Sequence, residues 1–325
     1  MPSILITTDY LVPADEVDRY LTGLGFTTRH APMRGRRRPD ELIAALAGAE
    51  GALIANEPMT GAVLRDAPDL RAVVRTGVGY DSVDVAAAAE LGITVSNLPG
   101  INANAVAEYT IGLLLAHARR LVPMATGVAA GGWPREDGTE LRGKTLGLIG
   151  WGAAARRTAV LADAFGMRVL CTTGVAPQAR GATPVRFVEL GEMLHDSDVV
   201  SVHTALTDRT RHLLGAAAFA RMKRGAYLIN TARGPIVDEA ALVAAVRSGH
   251  LSGAALDVVD VEPLPADSIL RTVPGITVFS HMAGQTTEAR RAAGLEGAKE
   301  LVAALAGHPA SAVNAHLITE PRKAP

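Results

Sequence analysis

Thr145-Leu146-Gly147-Leu148-Ile149-Gly150-Trp151-Gly152-Ala153-Ala154-Ala155 is the stretch on which the reading of the fold turns. Its first five residues form a short apolar run, which predicts a buried strand. Gly150 to Ala155 then fits G-x-G-x-x-G/A, with Ala in the permitted third place. Gly150 allows a tight turn, Gly152 lets the backbone approach a pyrophosphate closely, and the small Ala155 lets the following helix sit against the sheet. The helix N-terminus, at Ala153 and Ala154, offers free N–H groups and the positive end of its dipole to phosphates. In an Ala- and Gly-rich chain the glycines alone carry little weight. Their place between a strand and a helix makes them a dinucleotide fingerprint.

The same alternation extends in both directions. Downstream, strands are expected at Arg168 to Thr172, Asp198 to His203, Ala226 to Thr231, Gly253 to Val258 and Ile276 to Ser280, with helices starting near Gly152, Glu189, Ala216 and Asp238. Six strands with intervening helices make a doubly wound dinucleotide-binding domain. Upstream, Ser3 to Thr7, Gly51 to Ala55, Arg71 to Arg75 and Gly92 to Val95 read as strands, and Pro13 to Leu24 as a helix. Uniformly apolar strands of this kind belong to a parallel sheet covered on both faces, so the fold class is α/β with two doubly wound parallel sheets. Ala103 to Arg120 reads as one long, unusually apolar helix of the sort found in domain or subunit interfaces. Val128 to Gly143 reads as a connection, Thr286 to Leu305 as a final helix, and the tail from Thr319 as disordered.

Composition narrows the class. The chain has 325 residues, which at about 150 per domain suggests two domains. With 48% hydrophobic residues it can bury substantial cores, and with only 4% aromatics those cores are aliphatic. Basic and acidic side chains number 32 and 33, a balance that argues against a nucleic-acid binder. One cysteine, Cys171, excludes an intrachain disulfide and a cysteine-rich zinc site, and no metal site is expected. No apolar run approaches the ~20 residues that span a bilayer, and Met1 to Asp9 lacks the pattern of a signal peptide. The expectation is a soluble cytoplasmic protein with no membrane partner. The basic run Arg34-Gly35-Arg36-Arg37-Arg38 reads as a solvated loop.

Two further features bear on chemistry. The acid that usually closes a second strand, some 20 residues after the fingerprint, is absent, and Thr173 stands there. A 2′-phosphate would meet no repulsion, and Arg180 is a nearby cation, so NAD and NADP both stay open. In addition, Arg233, Glu262 and His281 each follow a strand of the second half. Carboxyl ends of the strands form the ligand crevice of a doubly wound sheet. A guanidinium there can bind a carboxylate bidentately, an imidazole can exchange a proton with a carbonyl oxygen, and a carboxylate beside the imidazole orients it and favours its charged form. Such a set suits hydride transfer between a nicotinamide and a 2-keto or 2-hydroxy acid.

The chain resembles the D-isomer-specific 2-hydroxyacid dehydrogenases, and within them the phosphoglycerate dehydrogenase branch. The resemblance rests on Arg75-Thr76-Gly77-Val78-Gly79-Tyr80-Asp81-Ser82-Val83-Asp84, Asn97-Leu98-Pro99-Gly100, Ala105-Val106-Ala107-Glu108, the glycine loop, Asn230-Thr231-Ala232-Arg233-Gly234, Leu256-Asp257-Val258 to Glu262-Pro263, and His281-Met282-Ala283-Gly284. It implies Arg233, Glu262 and His281 as the catalytic set, and Gly77, Val78 and Gly79, with Arg233, as the substrate-carboxylate site. The glycines of that loop are also open to a simpler reading, a sharp turn with positive φ. Cofactor contacts are implied at Gly150, Gly152, Ala153, Ala154, Thr173, His203, Thr204, Thr231, Ala232, Arg233, Asp257, His281 and Gly284, with Asp257 meeting the nicotinamide carboxamide.

The resemblance further implies a flavodoxin-like substrate domain, residues 1–97 and 283–325, interrupted by a Rossmann domain, residues 98–282. It implies a homodimer built on the helix at 103–120, and a small D-2-hydroxy acid or 2-keto acid as substrate, 3-phosphoglycerate-like if phosphorylated. An NADPH-dependent glyoxylate or hydroxypyruvate reductase, a phosphite- or phosphonate-type dehydrogenase, and a dinucleotide-sensing corepressor-like protein are the alternatives. Thr173, Ser82, Ala205 and Gln285 depart from the family's usual residues.

Overall fold

A computed structural model describes residues 1–33 and 38–323. The chain divides into two compact units, Met1–Asn102 with Thr286–Pro325, and Ala103–Gln285.

The first unit opens with β1 (Ser3–Ile6), α1 (Glu16–Gly23), β2 (Thr27–His30), α2 (Pro39–Leu46), β3 (Gly51–Ile54), α3 (Gly61–Arg65), β4 (Ala72–Arg75), α4 (Val85–Glu90) and β5 (Thr94–Ser96). The strands are parallel in the order β2-β1-β3-β4-β5, the flavodoxin-like arrangement. Consecutive strand residues feed opposite faces. Leu5, Ile54 and Val73 pack against Leu42, Leu46, Val63 and Ala88, while Ile4, Leu53 and Val74 pack against Val17, Leu21 and the chain's last helix. Carboxylate or hydroxyl caps start the helices: Asp15 for α1, Thr60 for α3 and Asp84 for α4.

The second unit begins with α5 (Ala103–Ala118) and α6 (Leu121–Ala129). There follow β6 (Thr145–Ile149), α7 (Ala153–Ala164), β7 (Arg168–Thr172), β8 (Arg186–Phe187), α8 (Leu190–Asp196), β9 (Val199–Val202), α9 (Ala216–Arg221), β10 (Tyr227–Asn230), α10 (Glu239–Arg247), β11 (Gly253–Leu256) and β12 (Ile276–Val278). The seven strands are parallel in the order β12-β11-β10-β9-β6-β7-β8. Read outward from β6, this is the Rossmann order with one strand added. On one face α7 and α5 bury Ala155, Ala159, Ile111 and Leu114, and on the other α8, α9 and α10 bury Met193, Phe219 and Leu242. Gly147 lets α8 lie directly on β6, since a Cβ there would fall 2.2 Å from Met193 Sδ. The last helix, α11 (Thr287–Leu305), capped by Thr286, belongs to the first unit and covers β3 and β4.

Several expectations need correction. The second sheet has seven strands, because the two-residue edge strand β8 was not anticipated. β2, with the sequence TTRH, is a half-buried edge strand without an apolar run, and α2 and α6 were also unforeseen. The tail is not loose as far as it is described. Arg322 donates to the carbonyls of Leu91, Ala67, Pro68 and Leu70, and its own N–H reaches Gly92 O. Four residues of the basic run, 34–37, lie outside the described residues; Arg38 pairs with Asp40. Among the described residues no helix is long and apolar enough to cross a membrane.

Candidate active site

Strand register puts the second unit's polar residues in one row. Val202, Asn230, Leu256 and Val278 are neighbours across β9, β10, β11 and β12. His203, Thr231, Asp257 and Phe279 therefore leave the sheet side by side at its carboxyl edge.

Each loop beyond that row is held by its own device. Buried Asn230 clamps the turn after β10: its Nδ2 donates to Arg233 O (2.8 Å) and its Oδ1 accepts from Ala232 N (3.1 Å). The Arg233 backbone stays extended as a result. Gly234 then passes so close to the loop after β11 that a Cβ would fall 2.0 Å from the Val259 carbonyl carbon. No side chain fits there, and the closeness brings the Arg233 loop against the segment that carries Glu262.

Asp257 does the corresponding work for His281. It is buried, its carbonyl accepts from His281 N (2.8 Å), and its two carboxylate oxygens accept from Met282 N (2.9 Å) and Ala283 N (2.8 Å). His281 itself sits at φ +59°, in the left-handed region that a non-glycine residue enters only when its surroundings compel it. Asp257 supplies that compulsion, so holding this loop comes before anything it offers a cofactor. Tyr109, on α5, lies beside the Asp257 carboxylate and packs edge-on against Phe279. Burial first and then this carboxylate push its phenol up to about 12.

The result is an imidazole–carboxylate pair, with His281 Nδ1 2.8 Å from Glu262 Oε2. Both side chains keep about a third of their surface open, 28% and 31%. Val259 N donates to the other oxygen, Glu262 Oε1 (3.3 Å). Burial works to raise the Glu262 carboxyl, but the His281 hydrogen bond and charge, the Val259 N–H and the Arg233 guanidinium outweigh it and hold the group below its ordinary value.

The glycine loop has the features a dinucleotide needs. Gly150 stands at φ +101°, and a Cβ on it would lie 2.5 Å from His203 O. Gly152 is different: a Cβ there would meet nothing within 4 Å, so no protein atom explains the glycine. It also leaves the first turn of α7, at Ala153 and Ala154, without a side-chain cap, unlike α1, α3, α4, α10 and α11. An open cradle under uncapped N–H groups fits a pyrophosphate. Nearby, Thr231 Oγ1 is buried without a hydrogen-bond partner. The His203 imidazole bonds Ser201 Oγ (2.9 Å) and is driven down to about 4 by burial, so it is neutral. Among the described residues no group of three or more His, Cys, Asp or Glu is arranged to hold a metal ion.

The family model for the D-isomer specific 2-hydroxyacid dehydrogenases, NAD binding domain, matches residues 111–283. This chain belongs to that family. It is an NAD(P)-dependent oxidoreductase acting on the CH–OH group of a D-2-hydroxy acid. A glyoxylate reductase of Aeropyrum pernix is 39% identical over 267 residues, 79% of this chain and 80% of that protein. A glycerate dehydrogenase of Methylorubrum extorquens is 36% identical over 311 residues, 93% of this chain and 97% of that protein. Among solved structures, the TT0316 protein of Thermus thermophilus superposes with a TM-score of 0.86 at 36% identity, over 96% of this chain and 99% of that one.

The family's other signature loop lies in the first unit. Asn97 Nδ2 donates to Val78 O (2.6 Å) and Leu98 N to Gly77 O (2.9 Å), so the Asn97-Leu98-Pro99-Gly100 motif fastens the Gly77-Val78-Gly79 loop. The expectation of positive φ fails here, since neither Gly77 nor Gly79 is among the described glycines with positive φ. Gly77 instead makes room for the Arg75 guanidinium as it lies here, since a Cβ would fall 1.4 Å from Nη1 and the arginine would have to swing away. Gly77 N also donates to Arg75 O (2.7 Å) within its own turn. Sequence reading missed the holding roles of Asn230, Gly234 and Asn97. Only for Asn230 was a signal present, because it sits in one motif with the Ala232 and Arg233 it fixes; Asn97 and Gly234 act on residues 19 and 25 positions away.

Proposed function

We propose that Arg233, Glu262 and His281 carry out the oxidoreduction of a short D-2-hydroxy acid and its 2-keto acid, with glyoxylate or hydroxypyruvate as the keto acid. The observation that carries this reading is the His281–Glu262 pair, held on a strained backbone by Asp257 next to the Arg233 loop. Residues 98–282 would hold the dinucleotide, with Gly150, Gly152, Ala153 and Ala154 at the pyrophosphate, and Thr173, His203, Thr204, Thr231, Ala232, Asp257 and Gly284 along its length. Residues 1–97 and 283–325 would serve the substrate. A nicotinamide held there would supply or accept the hydride at C2. Arg233 binds the substrate carboxylate bidentately. Within the first unit, the N–H groups of Val78 and Gly79 would offer an anion site of their own. His281 Nε2 hands a proton to the carbonyl oxygen on reduction and recovers it on oxidation. Ionised Glu262 keeps Nδ1 protonated and the ring oriented.

The choice of an unphosphorylated keto acid rests on the likeness to relatives named glyoxylate reductase and glycerate dehydrogenase. A 3-phosphoglycerate-like substrate is the second reading. The test is a panel of glyoxylate, hydroxypyruvate and phosphorylated hydroxypyruvate. The highest kcat/KM for an unphosphorylated acid is expected, and a clear preference for the phosphorylated one would reverse the order.

We also propose a homodimer, with its contact shifted from α5 to α6. The apolar side of α5 is taken up by its own unit, whereas α6 has no buried residue. Leu121, Val122, Val128 and the 81% exposed Trp133 leave one apolar stretch open to a second copy. Light scattering should give twice the chain mass, and L121K/W133K should give monomer. A cytoplasmic place fits dependence on the cell's pool of nicotinamide dinucleotide.

A further inference from the structure

The dinucleotide-binding reading leaves open which dinucleotide is used, and the segment after β7 bears on that choice. Thr173 stands where a carboxylate would hold ribose hydroxyls, and its Oγ1 accepts from Val175 N (3.1 Å) within its own turn. The chain then runs to Arg180, whose side chain folds back over the edge strand. Arg180 Nε donates to Val175 O (3.0 Å), and its guanidinium carbon lies 4.5 Å from the centre of the Phe187 ring. Phe187 is the register partner of Cys171, two residues before Thr173. The cation is therefore fixed over the end of β8, beside the strand that leads to Thr173. Among the described residues Arg180 has no carboxylate partner.

Two side chains from the glycine loop and its helix lock this arrangement. Trp151, the residue between Gly150 and Gly152, is buried and donates from Nε1 to Arg180 O (2.9 Å). Its ring meets Phe187 edge-on at 5.1 Å. Arg156, on α7, donates to Arg180 O (3.1 Å) and Ala179 O (2.9 Å) and lies over the Trp151 ring. The pyrophosphate cradle and the cation-bearing loop are thus one braced unit. A flexible surface arginine would lose rotamer entropy on binding a phosphate, and this one is already ordered by a hydrogen bond and a ring.

We propose that Arg180 selects the dinucleotide by binding the 2′-phosphate of NADP(H), with Trp151 and Arg156 as the residues that position it. The inference rests on the proposed dinucleotide site at Gly150–Ala155. It is tested by dissociation constants from reduced-nicotinamide fluorescence and calorimetry, without turnover. NADPH should bind at least tenfold more tightly than NADH, and adenosine 2′,5′-bisphosphate should displace it far better than AMP. Arg180→Ala and Arg180→Gln should each weaken NADPH tenfold or more while moving NADH less than threefold. Trp151→Phe, which removes the indole donor and keeps an apolar ring, should erode the preference several-fold. Equal or tighter binding of NADH by the unaltered protein would overturn the inference and leave the proposed function standing. So would equal weakening of both dinucleotides in the Arg180 variants. Failure to bind either dinucleotide would overturn both.

Discussion

Asn97 in the first unit and Asn230 in the second use the same device for different ends. Each is a buried asparagine at the end of a strand, and each donates from Nδ2 to a carbonyl of the loop it fastens, Val78 O in one case and Arg233 O in the other. The loop at Gly77-Val78-Gly79 presents backbone N–H groups and no ionisable side chain. The loop after β10 presents a guanidinium, and its neighbours present an imidazole and a carboxylate. In the proposed function the first loop would recognise an anion by fixed dipoles, while the second edge would bind a carboxylate through Arg233 and move a proton through His281. The second requires more support, which is why Gly234 and Asp257 join Asn230 there, and why the strained φ of +59° at His281 is found at this edge.

That contrast can be broken experimentally. Arg233→Ala should have the largest effect. Loss of a charge-assisted, bidentate contact worth about 1.5–3 kcal/mol per bond should lower kcat/KM by about 100-fold or more. A loss below fivefold would remove Arg233 from the carboxylate. The paired variants N230A and N97A come next. Each leaves buried partners unsatisfied at about 1–3 kcal/mol; N97A should act mainly on KM, whereas N230A, which loosens the Arg233 turn, should change both KM and kcat. The same kinetic signature from both would erase the distinction.

A smaller effect concerns pH. A carboxyl held below its ordinary value keeps its ionised form above that lowered value and loses it as pH falls through it. Because Glu262 is lowered in this way, turnover in the reductive direction, where His281 gives up a proton, should persist through about pH 4.3, the ordinary glutamate value, and decline only below it. Tryptophan fluorescence would monitor folding in parallel. An acid limb at or above the ordinary value in folded protein would contradict the assignment. The smallest effect is at Cys171, buried and pushed up to about 12 mainly by burial. Its thiol should resist a disulfide reagent at pH 8 until the protein unfolds, and prompt labelling would show that β7 is more open than described.

Particular residues show what was legible in sequence. β6 and β7 match the expected Thr145 to Ile149 and Arg168 to Thr172 residue for residue, because central parallel strands must be apolar on both faces. The edge strands β2 and β8 escaped notice because one side of an edge strand faces solvent, which breaks up the apolar run. α6 escaped because it has no buried face to impose a period, and Pro123 and Gly127 read as breakers. Arg233, Glu262 and His281 stood out as polar residues at strand ends. What sequence could not supply was their support. The grip of Asp257 on Met282 and Ala283 and the closeness of Gly234 to Val259 join segments about 25 residues apart, and only the fold brings them together.

The central claim is that His281 is the proton donor and acceptor, and His281→Asn tests it most directly. Asparagine tolerates the left-handed backbone at this position, so the loop held by Asp257 should survive. Turnover with glyoxylate or hydroxypyruvate should fall by about 10²–10⁴, the usual share of general acid–base catalysis, while the dissociation constant of the reduced dinucleotide stays within twofold. Turnover within a factor of two of the unaltered enzyme, across the 2-keto acids it accepts, would contradict the account.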